Sequence, residues 1–146
     1  MFNKETEYAL RGLVYIFSQN SEGRRPGITE IAEQTDAPYF YTAKILQRLV
    51  RYGLVESLKG KGGGFYFDPK KPDLPIKEVI LATEGDKVFT GCGFGLNQCD
   101  DHNPCPLHEK YAKIRNALNQ LVTNETIQGL SQKILRDGEM HAPRLR

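Results

Sequence analysis

The chain has 146 residues, the size of one domain or of a small domain with an attached arm. Hydrophobic residues make up 39% and charged residues 26% of it, which is the composition of an ordinary soluble protein and excludes a disordered or fibrous chain. The longest apolar run, Leu13 to Phe17, is too short to cross a bilayer, and the N-terminus lacks the pattern of a signal peptide. We therefore expect a cytoplasmic protein without a membrane partner.

The net charge of +2 hides an uneven distribution along the chain. Residues 38–64 contain five lysines and arginines and a single acidic residue, whereas residues 86–109 contain four acidic residues and one lysine. Such asymmetry indicates two surfaces of opposite charge. The basic one suggests contact with nucleic acid.

Three helices are predicted in the first third of the chain, over residues 4–19, 28–34 and 38–52. Apolar residues recur at helical spacing in the first, Pro38 suits the first turn of the third, and Gly53 suits the position just past its end. In the third helix Tyr41, Ile45 and Leu49 are expected to point inward, and basic residues outward. Two short helices joined by a tight turn, the second with a cationic outer face, predict a helix-turn-helix.

A β-hairpin follows over residues 54–68, with a glycine-rich tip at residues 60–64, and we call it the wing. A helix is then predicted over residues 75–83, followed by a polar, glycine-rich segment over residues 85–105, which we call the cysteine loop. From Pro106 a long helix begins, in which Leu107, Tyr111, Ile114, Leu118 and Leu121 form a heptad seam. The predicted fold is mainly α with a small hairpin: a winged helix-turn-helix domain (1–84), the cysteine loop (85–105), a dimerisation helix with a C-terminal helix (106–136), and a disordered tail (137–146).

The third helix and the wing carry the candidate DNA-contacting residues. A helix in the major groove presents its side chains to base edges, while lysine and arginine neutralise phosphates. Taken singly, each cation has a simpler explanation as a solvated surface residue, but the combination with a winged helix favours DNA binding. The residues expected to meet bases are Tyr39, Phe40, Thr42 and Ala43. Those along the same face are Lys44, Gln47, Arg48 and Arg51, and the wing adds Lys59 and Lys61 for the minor groove.

A second candidate site is the series Cys92-x6-Cys99-x5-Cys105-x2-His108. Thiolates bind soft and borderline metals, and Cys105 is expected at a helix N-terminus, where the dipole favours an anionic ligand. Structural zinc usually uses C-x2-4-C pairs, which are absent, so the spacing favours an iron-sulfur cluster over a Cys3His zinc site or three free thiols. His102 and His141 are expected to be solvated.

These features together resemble the small dimeric winged-helix regulators of the IscR, NsrR and RsrR type. The resemblance spans Glu7 to about Leu121 and lies in several short motifs. They are Glu7-Tyr8-Ala9-Leu10, Glu30-Ile31-Ala32-Glu33, Lys44-Ile45-Leu46-x-x-Leu49, Gly53-Leu54-Val55-x-Ser57, Lys59-Gly60-x-Gly62-Gly63-Gly64-Phe65, and the three cysteines with Pro106 and His108.

The resemblance implies a homodimer joined through the long helix, which binds a palindromic operator and carries a [2Fe-2S] or [4Fe-4S] cluster, the former favoured. Three ligands would be Cys92, Cys99 and Cys105. The fourth would be His108, as in IscR-like proteins, or Glu7 of the partner subunit, as in members that use a carboxylate near the N-terminus. The sequence departs from the family pattern at Lys59, where arginine is usual, and in the first cysteine interval, which is six residues rather than the five of IscR.

The sequence thus predicts a DNA-binding transcription regulator, with repression favoured, whose cluster senses cluster supply, nitric oxide or redox state. One alternative is an electron carrier or cluster-transfer protein that uses the helix-turn-helix only as scaffold. Another is a cluster-free regulator based on thiols or zinc. No nucleophile, base and orienting residue form a recognisable set, so we do not expect an enzyme.

Overall fold

The computed structural model describes residues 1–137 and 145 and is mainly helical. Its seven helices and two strands run in the order α1 (Lys4–Asn20), α2 (Ile28–Gln34), α3 (Tyr39–Arg51), β1 (Glu56–Leu58), β2 (Gly64–Tyr66), α4 (Ile76–Glu84), α5 (Lys87–Thr90), α6 (His108–Asn124) and α7 (Ile127–Asp137). The predicted helices are all present. Within the described residues none of them is long and apolar enough to span a bilayer.

Helix α1 lies at the centre of the fold and packs against α3, α4 and α7. It begins where the side chain of Asn3 accepts a hydrogen bond from the backbone N–H of Thr6 at 2.8 Å, which satisfies one free donor of the first turn. Its apolar rows place Leu13 and Ile16 in the core, where neither is exposed to solvent. Burial of this stripe is the main force that holds the helices together.

Helices α2 and α3 form the predicted helix-turn-helix. The turn between them places Asp36 at φ 50°, a left-handed conformation that aspartate tolerates better than most residues. Ile45, Leu46 and Leu49 of α3 are buried against the core. We call α3 the recognition helix.

The prediction for the inner face of α3 is wrong at one position. Tyr41 was expected to point inward but is 55% exposed, and its ring packs edge-on against Tyr8 of α1 at 6.1 Å between centroids. Thr42, which lies three and four residues before Ile45 and Leu46, takes the inward position instead. The apolar stripe of α3 is therefore turned by one residue from the expected row.

The wing is a two-stranded antiparallel hairpin in which Ser57 pairs with Phe65. Its strands are shorter than the predicted 54–59 and 65–68. The backbone of Gly64 passes so close to Arg25 that a Cβ at Gly64 would lie 2.2 Å from that carbonyl oxygen. Phe65 N–H donates to the carbonyl oxygen of Pro26 at 2.9 Å, which fixes the wing against the loop before α2.

Helix α7 packs on α1 and completes the core of the winged domain. Ile127 is fully buried, and the Ser131 hydroxyl donates to the carbonyl oxygen of Val14 at 3.0 Å. The backbone N–H of Leu74 donates to the side-chain oxygen of Gln128 at 2.8 Å. Helix α7, which follows α6 along the chain, is thus fixed to α1 and to the segment before α4.

The predicted disordered tail, residues 137–146, falls largely outside the described residues. Asp137 is the last residue of α7, and Leu145 packs against the main core.

Candidate DNA interface and metal centre

The start of the recognition helix exposes aromatic side chains next to cations. Phe40 is 85% exposed, and its ring meets that of Tyr39 edge-on at 5.5 Å. Lys44, Gln47 and Arg51 are exposed further along the helix. This surface therefore combines apolar groups suited to base edges with charges suited to phosphates.

The structure does not support a base contact by Thr42. Its side chain is 5% exposed, and its hydroxyl donates to the carbonyl oxygen of Pro38 at 2.9 Å. A buried hydroxyl that is already bonded within its own helix cannot reach a base edge. Ala43, the neighbouring candidate, is half-buried.

Arg48 also differs from the other predicted cations of α3. Its guanidinium forms an ion pair with Glu5 in the first turn of α1, and both side chains are largely covered. The helical period explains this, because Arg48 lies at the margin between the buried row and the exposed face. The cations left free on this surface include Lys44 and Arg51, and the exposed Lys59 and Lys61 of the wing extend it.

The cysteine loop is held against α6 by a close contact at Gly93. A Cβ at this position would lie 2.5 Å from the ring of Tyr111, so only glycine allows the loop to lie on that ring. The loop also contains the short helix α5, which the sequence analysis missed. Together these features place the segment around Cys92 over the first turns of α6.

The predicted ligands meet in two pairs at the start of α6. The sulfur atoms of Cys92 and Cys105 are 3.6 Å apart, and the sulfur of Cys99 lies 3.3 Å from Nδ1 of His108. Nε2 of His108 lies 2.9 Å from a carboxylate oxygen of Asp101, which fixes the ring orientation. All three cysteines are free thiols.

The pKa of the Cys92 thiol is lowered, chiefly because the backbone N–H of Leu96 points at its sulfur. The backbone N–H groups of Phe94 and Gly95 and the thiol of Cys105 act in the same direction, against partial burial. Such a ring of backbone donors stabilises a thiolate. It prepares Cys92 to bind a metal or to act as a nucleophile.

Arg115 is a member of this site that the sequence analysis did not identify. One of its terminal nitrogens, Nη1, donates to the sulfur of Cys99 at 3.2 Å and to the carbonyl oxygen of Gly91 at 2.9 Å. Its Nε is buried and has no hydrogen-bond partner among the described residues. The available signal was its spacing, since Arg115 lies seven residues after His108 and hence on the same face of α6.

These residues form two donor pairs whose sulfur and imidazole atoms are suited to binding a soft or borderline metal. No point within residues 1–137 is surrounded by three or more histidine, cysteine or acidic side chains that could share one metal. Two ligands on one tetrahedral metal with bonds of about 2.3 Å lie roughly 3.7 Å apart, close to the spacing in each pair. The Nε of Arg115 is buried and has no hydrogen-bond partner among the described residues. Such a donor is expected beside a site that binds an anionic group.

Glu7 is not brought to the cysteine loop of its own chain by any described contact. Its carboxylate pairs with Lys4 at 3.0 Å, and that hydrogen bond is the main cause of its lowered pKa. Of the two candidates for a fourth ligand, only His108 contacts a cysteine within the chain.

One face of α6 is left uncovered. Ile114 is 57% exposed, and Leu107 and Leu121, seven residues to either side, are similarly exposed. These are three members of the predicted heptad seam, whereas Tyr111 and Leu118 are half-buried within the chain. Such a row of apolar residues on a helix is typical of a helix–helix interface.

The chain is similar to known transcription regulators over almost its whole length. Residues 2–133 match the Rrf2 family, described as an iron-dependent transcriptional regulator. The transcriptional repressor NsrR of Streptomyces coelicolor is 31% identical over 116 residues, which cover 79% of this chain and 72% of NsrR. The regulator IscR of Escherichia coli is 28% identical over 145 residues, 95% of this chain and 88% of IscR.

The fold is also that of solved regulators. The structure of CymR, the global cysteine regulator of B. subtilis, superimposes with a TM-score of 0.72 at 19% identity, covering 91% of this chain and 97% of CymR. This likeness confirms the mainly helical fold with its hairpin wing.

Proposed function

The chain belongs to the Rrf2 family of transcriptional regulators, and on that premise we propose that it is a homodimeric repressor controlled by a [2Fe-2S] cluster. The proposed ligands are Cys92, Cys99, Cys105 and His108. Family membership favours this function over that of an electron carrier or an enzyme, because the relatives regulate transcription.

The observation that carries the proposal is the pairing of the four ligands. Each iron of a [2Fe-2S] cluster takes two protein ligands, whereas each iron of a [4Fe-4S] cluster takes one. Two donor pairs, Cys92 with Cys105 and Cys99 with His108, therefore favour the smaller cluster. When bound, the cluster would supply a one-electron redox centre, and a histidine ligand raises its reduction potential.

The chain connects this site to DNA through α6. Gly93 lies against the ring of Tyr111, and the carbonyl oxygen of Gly91 accepts a hydrogen bond from Arg115. Because these contacts join the cysteine loop to α6, a change in the ligation of Cys92 is transmitted to the first turns of α6. We propose that α6 also forms the dimer interface through Leu107, Ile114 and Leu121. A movement of α6 then alters the separation of the two recognition helices, and a palindromic operator tolerates little change in that separation.

At the DNA we propose that α3 enters the major groove and that Lys59 and Lys61 of the wing lie along the minor groove. Tyr39 and Phe40 would face bases, while Lys44, Gln47 and Arg51 contact the backbone or base edges. The exposed aromatic pair next to free cations supports this orientation.

Anaerobic purification tests the metal centre. We expect a coloured protein with two irons and two sulfides per chain and a Mössbauer spectrum with two distinct iron sites, one of them bound by nitrogen. His108→Ala should alter that spectrum, and Glu7→Ala should leave it unchanged. A colourless protein with one zinc per chain, or a spectrum altered only by Glu7→Ala, contradicts the assignment.

A second candidate function is a cluster-free thiol switch, favoured by the 3.6 Å contact between Cys92 and Cys105. The lowered pKa of Cys92 supports attack of its thiolate on hydrogen peroxide, which cleaves the O–O bond and gives a sulfenic acid and hydroxide, and solvent protonates the hydroxide to water. The thiol of Cys105 then attacks that sulfur, forming the disulfide and releasing a second water. Mass spectrometry of the peroxide-treated, iron-free chain distinguishes the two functions, because a switch forms this disulfide and changes its DNA affinity with it.

A further inference from the structure

Arg115 brings a positive charge into the interior of the metal centre. Its Nη1 is shared between the sulfur of Cys99 and the carbonyl oxygen of Gly91, residues that precede it by 16 and 24 positions. One guanidinium thus ties two points of the cysteine loop to α6. A planar group with fixed donor directions is suited to such a bridge.

No carboxylate within the described residues forms an ion pair with this cation. Asp101 pairs with His108, and Glu109 lies 3.9 Å from Lys113 on the outer side of the helix. A partly buried cation whose Nε lacks any partner is costly unless a negative group lies beside it. The three cysteines supply that charge once they are deprotonated to bind metal.

We propose that Arg115 is a positioning residue of the cluster site, which holds Cys99 in place and favours the reduced state of the cluster. The proposal rests on the cluster-controlled function given above. A hydrogen bond to a ligating sulfur and a nearby positive charge both stabilise added negative charge, so they raise the reduction potential. The bridge to Gly91 additionally keeps the loop closed over α6.

Helix α6 offers a matched control for the charge. Lys113 lies two residues before Arg115, but its side chain is exposed and directed to solvent near Glu109. Lys113→Gln removes the same charge from the same helix without touching the loop. Arg115→Gln removes the charge, whereas Arg115→Lys keeps the charge and a donor for the sulfur of Cys99 but replaces the rigid planar group by a flexible ammonium.

The experiment compares the anaerobically reconstituted wild-type dimer with these three variants. The rate of cluster loss in air and the reduction potential are measured by visible absorption, and the far-UV circular dichroism melt reports folding. We expect Arg115→Gln to lower the potential and to lose the cluster about 10- to 100-fold faster. Arg115→Lys should lose the cluster faster at a potential near that of the wild type, and Lys113→Gln should match the wild type in both.

Several outcomes overturn the proposal. One is a potential and a loss rate for Arg115→Gln equal to those of the wild type. Another is an equal fall in reduction potential for Arg115→Gln and Arg115→Lys. That result would show that Arg115 holds the cysteine loop in place and that its charge has no effect on the potential. If Arg115→Gln fails to fold, a potential of Arg115→Lys well below the wild type contradicts the charge effect. A wild-type chain that takes up no iron and sulfide refutes the proposed function itself, and this inference with it.

Discussion

Arg48 of the recognition helix forms an ion pair with Glu5 in the first turn of α1. Its side chain therefore links α3 to α1 and does not project into solvent. The two side chains are mostly covered, which shields the pair from solvent more than an ordinary surface salt bridge. Lys44, four residues earlier on α3, is exposed and free to meet a phosphate. Two cations on one helix are therefore expected to contribute differently to DNA binding.

We predict that Lys44→Ala weakens operator binding at every DNA sequence and lowers the slope of log affinity against log salt by about one per subunit. Arg48→Ala should leave that slope unchanged and instead destabilise the fold by about 1 kcal/mol, since it leaves Glu5 unpaired. Fluorescence anisotropy with a labelled duplex over a series of KCl concentrations measures the first effect, and urea unfolding the second. Equal salt slopes for the wild type and Lys44→Ala contradict the assignment.

Phe40 provides a test of base readout that is separate from charge. Its ring is exposed at the second residue of the recognition helix, and in the proposed orientation this apolar group would meet the methyl group of a thymine in the major groove. We predict that Phe40→Ala weakens binding to a duplex selected from a random pool and leaves the salt slope unchanged.

The matched experiment alters the DNA. Replacing single thymines of the selected duplex by deoxyuridine removes only the methyl group. We expect one thymine position in each half-site to be sensitive to this replacement. There, a single substitution should weaken binding of the wild type roughly fourfold, which corresponds to the free energy of burying about one methyl group. Phe40→Ala should show no further loss there, and a loss equal to that of the wild type contradicts the contact.

The sequence predicted the helices because each of them buries a regular apolar stripe, as Leu13 and Ile16 do in α1. It also indicated that the three cysteines and His108 would lie near one another, because they are close along the chain. The orientation of Tyr41 and Thr42 was not predictable, since both rows of α3 carry apolar groups and the packing partner Tyr8 decides between them.

Contacts made by the path of a loop were also missed. The bridge from Arg115 to Gly91 and the stacking of Gly93 on Tyr111 depend on how the cysteine loop folds back, which no helical or strand period encodes. The ion pair between Arg48 and Glu5 likewise joins residues 43 positions apart. Sequence periodicity therefore predicted the helices and the hairpin. Long-range contacts decide which of the predicted side chains are exposed and which are held within the fold.

Gly93 gives a prediction about the proposed metal centre. Gly93→Ala places a methyl group within 2.5 Å of the Tyr111 ring, so the loop must move away from α6 and take Cys92 with it. We predict loss of the cluster absorption with little change in the far-UV circular dichroism melt. Gly12→Ala serves as control, because its Cβ meets only a side-chain methyl at an ordinary 3.5 Å, and it should retain the cluster.

Ile114 tests the proposed dimer. It lies at the middle of the exposed row on α6, so Ile114→Glu places a charge in the interface and should convert the dimer to a monomer. Sedimentation velocity over a range of protein concentrations measures this. Asn116→Glu, an exposed position on the same helix, should remain dimeric, and a dimer of unchanged affinity for Ile114→Glu contradicts the interface.

Glu30 gives a prediction of pH dependence. Its carboxylate accepts hydrogen bonds from Arg24 and from the Tyr15 hydroxyl, the latter at 2.9 Å, and the contact with Arg24 is the main cause of its lowered pKa. Because the folded pKa lies below the ordinary value of 4.5, this carboxylate stabilises the fold above that pH. The stabilisation is lost as the pH falls from there through the folded pKa.

We therefore predict that Glu30→Gln is less stable than the wild type at pH 7, by no more than about 1 kcal/mol because the pair is partly exposed. Urea unfolding at pH 7 and at several values below 4.5 measures the difference. It should shrink as the carboxylate of the wild type takes up its proton, because the wild type then resembles the neutral variant. Glu22→Gln, which removes an exposed carboxylate nearby, should follow the pH profile of the wild type. A difference for Glu30→Gln that stays constant with pH would show that the hydrogen bonds, and not the charge, stabilise this contact.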